Sequence, residues 1–169
     1  VGENVEMADN GFFPDPYGEW SVYYSGSAKE LEQLGSISCA VLLGEPGTGK
    51  STALRADYKR VKATGAKAQF VHLGETQDES SLRARLFESD TFKSWGGGDD
   101  HLHLFLDSLD EARLRVETVA TMLMSGLEKA DFGRLSLRVA CRISERHVPL
   151  EAFLRAAFGE ENFRVLSLA

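Results

Sequence analysis

Five short apolar runs alternate along the chain with stretches in which apolar residues return every three or four positions. The runs predict β-strands over 37–43, 68–73, 101–106, 135–141 and 163–168. The first is almost entirely apolar, the pattern of a strand covered on both faces. A helix starts near Lys50 and places Ala53, Leu54, Tyr58 and Val61 on one side. A short helix is predicted over 81–87, leading into Phe92, Trp95 and a flexible turn at Gly96, Gly97 and Gly98. A longer one spans 114–130, with Val116, Val119, Ala120, Leu123, Leu127 and Ala130 as its core stripe. Pro149 opens the last helix, Leu150, Phe153, Leu154 and Ala157 line its apolar face, and Gly159 ends it. Strand–helix alternation of this kind predicts an α/β fold on a parallel sheet.

Ahead of the first strand lies a lead-in over 1–36, with a short helix predicted at 28–34 and six aromatics, Phe12, Phe13, Tyr17, Trp20, Tyr23 and Tyr24. It reads as a segment packed on the core, or as a lid over a ligand, ahead of one globular domain over 37–169.

The chain has 169 residues and a net charge of −7, with 43% hydrophobic and 27% charged residues, the balance of a soluble globular domain. No apolar run approaches the roughly 20 residues of a membrane helix, and no secretion signal opens the chain. The acidic total argues against a broad nucleic-acid-binding face. The basic residues Arg55, Lys59, Arg60, Lys62 and Lys67 therefore read as the solvated side and exit of a helix. Cys39 and Cys141 sit inside apolar strands, as small buried hydrophobes without metal-ligand spacing. A reducing, cytoplasmic setting is the matching expectation. The chain opens on Val1 and closes on Ala169 directly after a strand, as an excerpt of a longer protein would.

Between the first strand and its helix stands Gly44-Glu45-Pro46-Gly47-Thr48-Gly49-Lys50-Ser51, the Gly-x-x-x-x-Gly-Lys-Ser phosphate loop in its required strand-to-helix context. The glycines let successive N–H groups turn inward on phosphate oxygens, and the helix start adds unpaired N–H groups and a positive dipole end. Lys50 is expected to reach the β- and γ-phosphates, the Ser51 hydroxyl to ligate magnesium, and Thr52 to touch the α-phosphate. The expected ligands are thus ATP or GTP with Mg²⁺. The third strand ends in Leu104-Phe105-Leu106-Asp107, followed by Ser108-Leu109-Asp110-Glu111. Asp107 is positioned for the magnesium shell, and Asp110 or Glu111 offers the carboxylate that orients or deprotonates an attacking water.

Asp107-Ser108-Leu109-Asp110-Glu111, read with Cys39-Ala40-Val41-Leu42-Leu43-Gly44-Glu45-Pro46-Gly47, resembles the NACHT pattern of the STAND signalling ATPases, in the branch of P-loop proteins that includes AAA+ ATPases. The resemblance spans about 37–142. It implies a P-loop NTPase three-layer sandwich with strand order 5-1-4-3-2. It also implies a sensor role for Arg142 beside the γ-phosphate, an ATP-driven switch in bacterial antiviral signalling, and as partners other domains of the same chain and further copies on activation. The absence of an Asn-Lys-x-Asp run favours ATP over GTP. Two alternatives stand beside it: a nucleotide-binding module without turnover, and an AAA+ motor. Against the motor, that class places its glutamate immediately after the aspartate. His101 and His103 share one strand face without a ligand set, and His72 and His147 show no sequence partner.

Overall fold

The computed structural model describes residues 35–168; the expectations for the lead-in over 1–34 lie outside the described residues. The elements are β1 (Cys39–Gly44), α1 (Lys50–Ala63), β2 (Lys67–His72), α2 (Glu79–Phe87), α3 (Asp90–Gly96), β3 (Leu102–Asp107), α4 (Val116–Leu127), β4 (Leu135–Cys141), α5 (Val148–Phe158) and β5 (Phe163–Leu168). The strands form one parallel sheet in the order β2-β3-β4-β1-β5, which is the 5-1-4-3-2 order read from the other edge. Parallel neighbours require crossovers, and the helices supply them.

Side chains alternate between the two faces of a strand, and this sorts the core into two clusters. Leu102, Leu104 and Leu106 of β3 join Val41, Leu43, Leu137 and Val139 on one face, beneath Leu82, Leu86, Val119, Leu123, Leu150 and Leu154 of the helices. Ala40, Leu42, Phe105 and Ala140 face the other way, against Ala53, Leu54 and Val61 of α1. Among the described residues α1 is the only helix in that second cluster. The chain is thus an α/β three-layer sandwich. The same alternation places Asp107 on the α1 face, because it follows Phe105 by two.

Three strands differ from the sequence reading by one or two residues at their ends: β1 runs Cys39–Gly44, β2 runs Lys67–His72, with Leu73 in a short 3₁₀ turn, and β3 runs Leu102–Asp107. The helix predicted over 114–130 is shorter, Val116–Leu127. The turn expected at Gly96, Gly97 and Gly98 is present at Gly97 and Gly98, while Gly96 ends a helix that the sequence reading did not assign. Phe92, Trp95 and Gly96 belong to α3, whose N-cap Ser89 accepts from Phe92 N–H at 3.1 Å. Trp95 is buried and donates its indole N–H to Arg134 O at 3.2 Å. Asp78 and Ser81 form a capping box at the start of α2, which moves that helix two residues upstream of the predicted start.

One buried ion pair escaped the sequence reading. Arg138 of β4 lies under α1, with Nε 3.7 Å from Asp57 Oδ2, and donates to the carbonyls of Ile37 (2.9 Å) and Ser38 (3.1 Å). It ties the entry to β1, β4 and α1 together beneath the phosphate loop.

Candidate functional site

The phosphate loop leaves the carboxyl end of β1, and its curl depends on backbone that only glycine accepts readily. Gly49, the N-cap of α1, has φ +82°, in the left-handed region. At Gly44 the constraint is space: a Cβ there would meet Thr48 Oγ1 at 2.5 Å and Leu168 O at 3.0 Å. Thr48 closes the loop by donating through both N–H (3.3 Å) and Oγ1 (2.9 Å) to Glu45 O. Glu45, Pro46 and Gly47 form the exposed crest.

The start of α1 has no side-chain cap and no acid in its first turn. The N–H groups of Lys50, Ser51 and Thr52 therefore keep their donor capacity and the dipole its uncompensated positive end. Lys50 Nζ bridges the loop, donating to Gly44 O at 2.7 Å and Glu45 O at 2.9 Å. Both bonds go to neutral carbonyls, which an anionic oxygen would outcompete.

Ser51 Oγ donates to Asp107 Oδ1 at 2.8 Å. Asp107 is fully buried, and its second oxygen, Oδ2, has no hydrogen-bond partner among the described residues. A buried carboxylate oxygen left unpaired is costly unless a cation or donor completes it. A hydroxyl, a buried carboxylate with one oxygen open, and a phosphate loop beside them suit an oxygen-liganded Mg²⁺ that takes its remaining ligands from phosphate and water. Among the described residues no group of three or more His, Cys, Asp and Glu could hold a metal on its own.

Ser108 turns the chain directly after Asp107 with φ 60° and ψ 53°, the one non-glycine positive φ among the described residues. Such a residue costs roughly 1–2 kcal/mol. The turn folds Leu109–Glu111 back as a 3₁₀ turn, with Glu111 N–H donating to Ser108 O at 3.0 Å. It separates the two candidate acids. The Asp110 side chain is only 3% exposed; its Oδ1 accepts from Arg142 N–H at 3.0 Å, and Oδ2 stands 2.8 Å from Arg142 Nε in an ion pair not aligned as a hydrogen bond. Glu111 has a side chain 49% exposed and lies 3.9 Å from Arg142 Nη2.

The structure thus gathers Asp110, Glu111 and Arg142 into one cluster, and Arg142 is engaged by the acids rather than standing alone at the strand end. Cys141 lies between this cluster and the loop. Its thiol is pushed up to about 12, first by burial and then by the Asp110 and Glu145 carboxylates, against a smaller opposing effect of Lys50. His72, in register with Asp107, accepts from Gly74 N–H at 3.2 Å, and a Cβ on Gly74 would come within 3.3 Å of Glu111 Cβ. That contact between two turns was invisible in sequence. His147 caps α5 through Leu150 N–H, and His101 meets Ser136 Oγ at 2.8 Å; both are structural partners.

No protein-family model matches the chain, and no curated protein matches it. Among solved structures it is similar to Cdc6p from Pyrobaculum aerophilum, with 17% identity over 96% of this chain and 49% of that one, and a TM-score of 0.63. A second similar structure is the S. cerevisiae Hsp104–ADP complex, with 18% identity over 92% of this chain and 22% of that one, and a TM-score of 0.49. The chain spans less than half the length of these matches. At such identities the likeness is one of fold alone: the chain shares the α/β fold of that Cdc6p structure. Among the described residues no helix is long and apolar enough to cross a membrane.

Proposed function

We propose that this chain binds a nucleoside triphosphate with magnesium and hydrolyses it slowly, as the switch module of a larger protein. The observation that carries the reading is the Ser51–Asp107 hydrogen bond of 2.8 Å beside a buried, unpaired Asp107 Oδ2. On this reading Lys50 moves from the Gly44 and Glu45 carbonyls to phosphate oxygens, and the N–H groups from Gly47 to Thr52 hold the phosphate chain. Ser51 and Asp107 would hold Mg²⁺, which supplies positive charge to the phosphate oxygens.

Of the two acids, exposure favours Glu111 as the group that orients water and takes its proton. Asp110 is the positioning residue: it holds the backbone after β4 and the Arg142 guanidinium. Arg142 reaches the γ-phosphate only by giving up part of that pairing, which makes it a candidate reporter of the third phosphate.

The fold likeness supports the broader reading, an AAA+-like ATP-binding module, better than it supports a signalling role. The narrower NACHT reading draws on Asp107-Ser108-Leu109-Asp110-Glu111, in which the glutamate stands four residues after the aspartate. ATP is favoured over GTP by the missing guanine-recognition run alone. Other domains of a longer chain and self-association are the partners this reading carries. The test is calorimetric titration of ATP and GTP into the chain, with magnesium and with a chelator. Tight binding that depends on magnesium is expected; absence of binding under both conditions would overturn the assignment.

A further inference from the structure

The turn that follows β2 and the turn that follows β3 touch, and the contact falls on Glu111. β2 and β3 are parallel and in register, with His72 opposite Asp107, so the chain leaves both strands at the same end of the sheet. Each turn is pinned by a buried leucine of the same core, Leu73 in one and Leu109 in the other. The first turn, Leu73–Glu75, is also closed by its own hydrogen bonds. Thr76 donates to Leu73 O through N–H (3.0 Å) and Oγ1 (2.5 Å), and Gly74 N–H donates to His72 Nδ1 at 3.2 Å. Glu75 ties the turn to Arg85 of α2 at 3.0 Å. In a core packed as densely as a crystal, neither leucine shifts freely, so the spacing between the turns is fixed.

Gly74 stands where the two turns meet. Its φ lies outside the left-handed region, so backbone conformation does not demand a glycine there. What the glycine supplies is room. A Cβ would lie 2.9 Å from His72 Cε1, 3.2 Å from His72 Nδ1 and 3.3 Å from Glu111 Cβ. Carbon atoms in contact prefer about 3.5–4.0 Å. A methyl group therefore fits only if the imidazole swings away, breaking its bond to Gly74 N–H, or if the Glu111 stem retreats. Beyond that stem Glu111 is loosely held. Among the described residues its carboxylate accepts no hydrogen bond and has one ionic neighbour, Arg142 Nη2 at 3.9 Å. The aim of the carboxylate is thus set by where its Cβ is held.

We propose that Gly74 is a positioning residue for hydrolysis. By carrying no side chain it lets the β2 turn close on the Glu111 stem and keep the carboxylate within reach of the attacking water. The inference rests on the reading of Glu111 as the water-orienting group and adds the element that aims it. A general base tolerates little misplacement, since about 1 Å costs ~10²-fold in rate. A methyl at position 74 displaces the stem by a few tenths of an ångström and costs about tenfold on that scale. Gly74 belongs neither to the phosphate loop nor to the Ser51–Asp107 pair, so nucleotide binding is left intact.

The test measures phosphate release and magnesium–ATP affinity for wild type, Gly74→Ala, Glu111→Gln and the double variant, with Lys50→Ala as background. Gly74→Ala should slow release about tenfold while affinity stays within about twofold of wild type. In Glu111→Gln the same methyl should add less than about twofold, because the group it displaces no longer acts. A merely structural role would lower binding and rate together, in both backgrounds. Thr76→Val loosens the turn from the other side, removing the Oγ1 bond to Leu73 O without adding bulk. It should repeat the loss of rate at unchanged affinity, and it decides the question if Gly74→Ala folds poorly. NMR of the nucleotide-free wild type should show a nuclear Overhauser contact between the Gly74 α-protons and the Glu111 β-protons; its absence would refute the geometry. Wild-type turnover with an unslowed Gly74→Ala, or an equal loss in both backgrounds, would overturn this inference alone. Wild type no faster than Lys50→Ala, or Glu111→Gln as fast as wild type, would overturn the reading of Glu111 and this inference with it.

Discussion

Ser51 Oγ donates to Asp107 Oδ1 at 2.8 Å, across 56 positions of sequence, and so joins the first turn of α1 to the last residue of β3. The carboxylate is fully buried and keeps one oxygen unpaired. Asp107→Asn therefore removes the charge while retaining an acceptor for Ser51. Nucleotide affinity measured with magnesium should fall about tenfold or more, the scale of a lost charged interaction. Affinity measured with a chelator should change little. Equal losses in the two titrations would remove Asp107 from the metal shell.

Lys50→Ala tests the phosphate loop separately from the fold. The Lys50 ammonium bonds only the Gly44 and Glu45 carbonyls among the described residues, so its loss leaves no buried charge behind. ATP binding by calorimetry should drop by at least about tenfold, while the circular dichroism spectrum and Tm stay close to wild type. A folded variant with wild-type affinity would refute the loop assignment.

The strand–helix alternation and the phosphate loop were legible in sequence because each rests on local pattern, whereas the strand order came from the family resemblance alone. Leu102, Leu104 and Leu106 alternate with His103, Phe105 and Asp107, which sets the face of the aspartate before any coordinate is known. Gly44, Gly49 and Lys50 announce the loop by spacing alone. The division of labour between Asp110 and Glu111 was not legible. It depends on the left-handed backbone of Ser108, which buries the side chain of one acid and exposes its neighbour. The Asp57–Arg138 pair was hidden for a different reason: a single arginine in an apolar strand gives no sign of its partner.

Asp110 should matter to stability more than Glu111 does. Asp110→Ala leaves the Arg142 N–H without its acceptor and frees a guanidinium from its ion pair. A loss of roughly 1–3 kcal/mol is expected, the cost of an unsatisfied buried group. Glu111→Ala at a half-exposed position should stay within about 0.5 kcal/mol. Urea denaturation of both variants makes the comparison, and equal losses would contradict the assignment of roles.

Acid should destabilise the fold before any carboxylate titrates. Burial holds His101 and His103 below the usual histidine value, helped by Arg134 at His101 and by His101 and Arg138 at His103, with Asp57 opposing. Their unfolded value is about 6.5, so below that pH the unfolded chain binds more protons and stability falls. Above it both states are neutral and the effect vanishes. Denaturation midpoints should decline between about pH 7.5 and about pH 5.5, a window above the ordinary carboxylate range. His101→Asn/His103→Asn should flatten that slope, and an unchanged slope would assign the effect elsewhere.

Turnover separates an enzyme from a binding module, and the two acids separate a water-orienting group from a support. The expected rate is slow, because the described site offers one half-exposed carboxylate and an arginine still engaged with Asp110. Glu111→Gln keeps the shape of the side chain and removes its basicity. ATP binding should persist, while phosphate release falls roughly 10²-fold or more, the usual scale for losing a positioned general base. Asp110→Asn also lowers the rate if it folds, but through Arg142, so Arg142→Ala in the same background should add little further loss. Glu111→Gln should remain additive with both. The assay is phosphate release from purified chains, with Lys50→Ala as the background. Wild type releasing no more phosphate than Lys50→Ala would leave a nucleotide-binding module without turnover, and wild-type rates in Glu111→Gln would remove this glutamate from the chemistry.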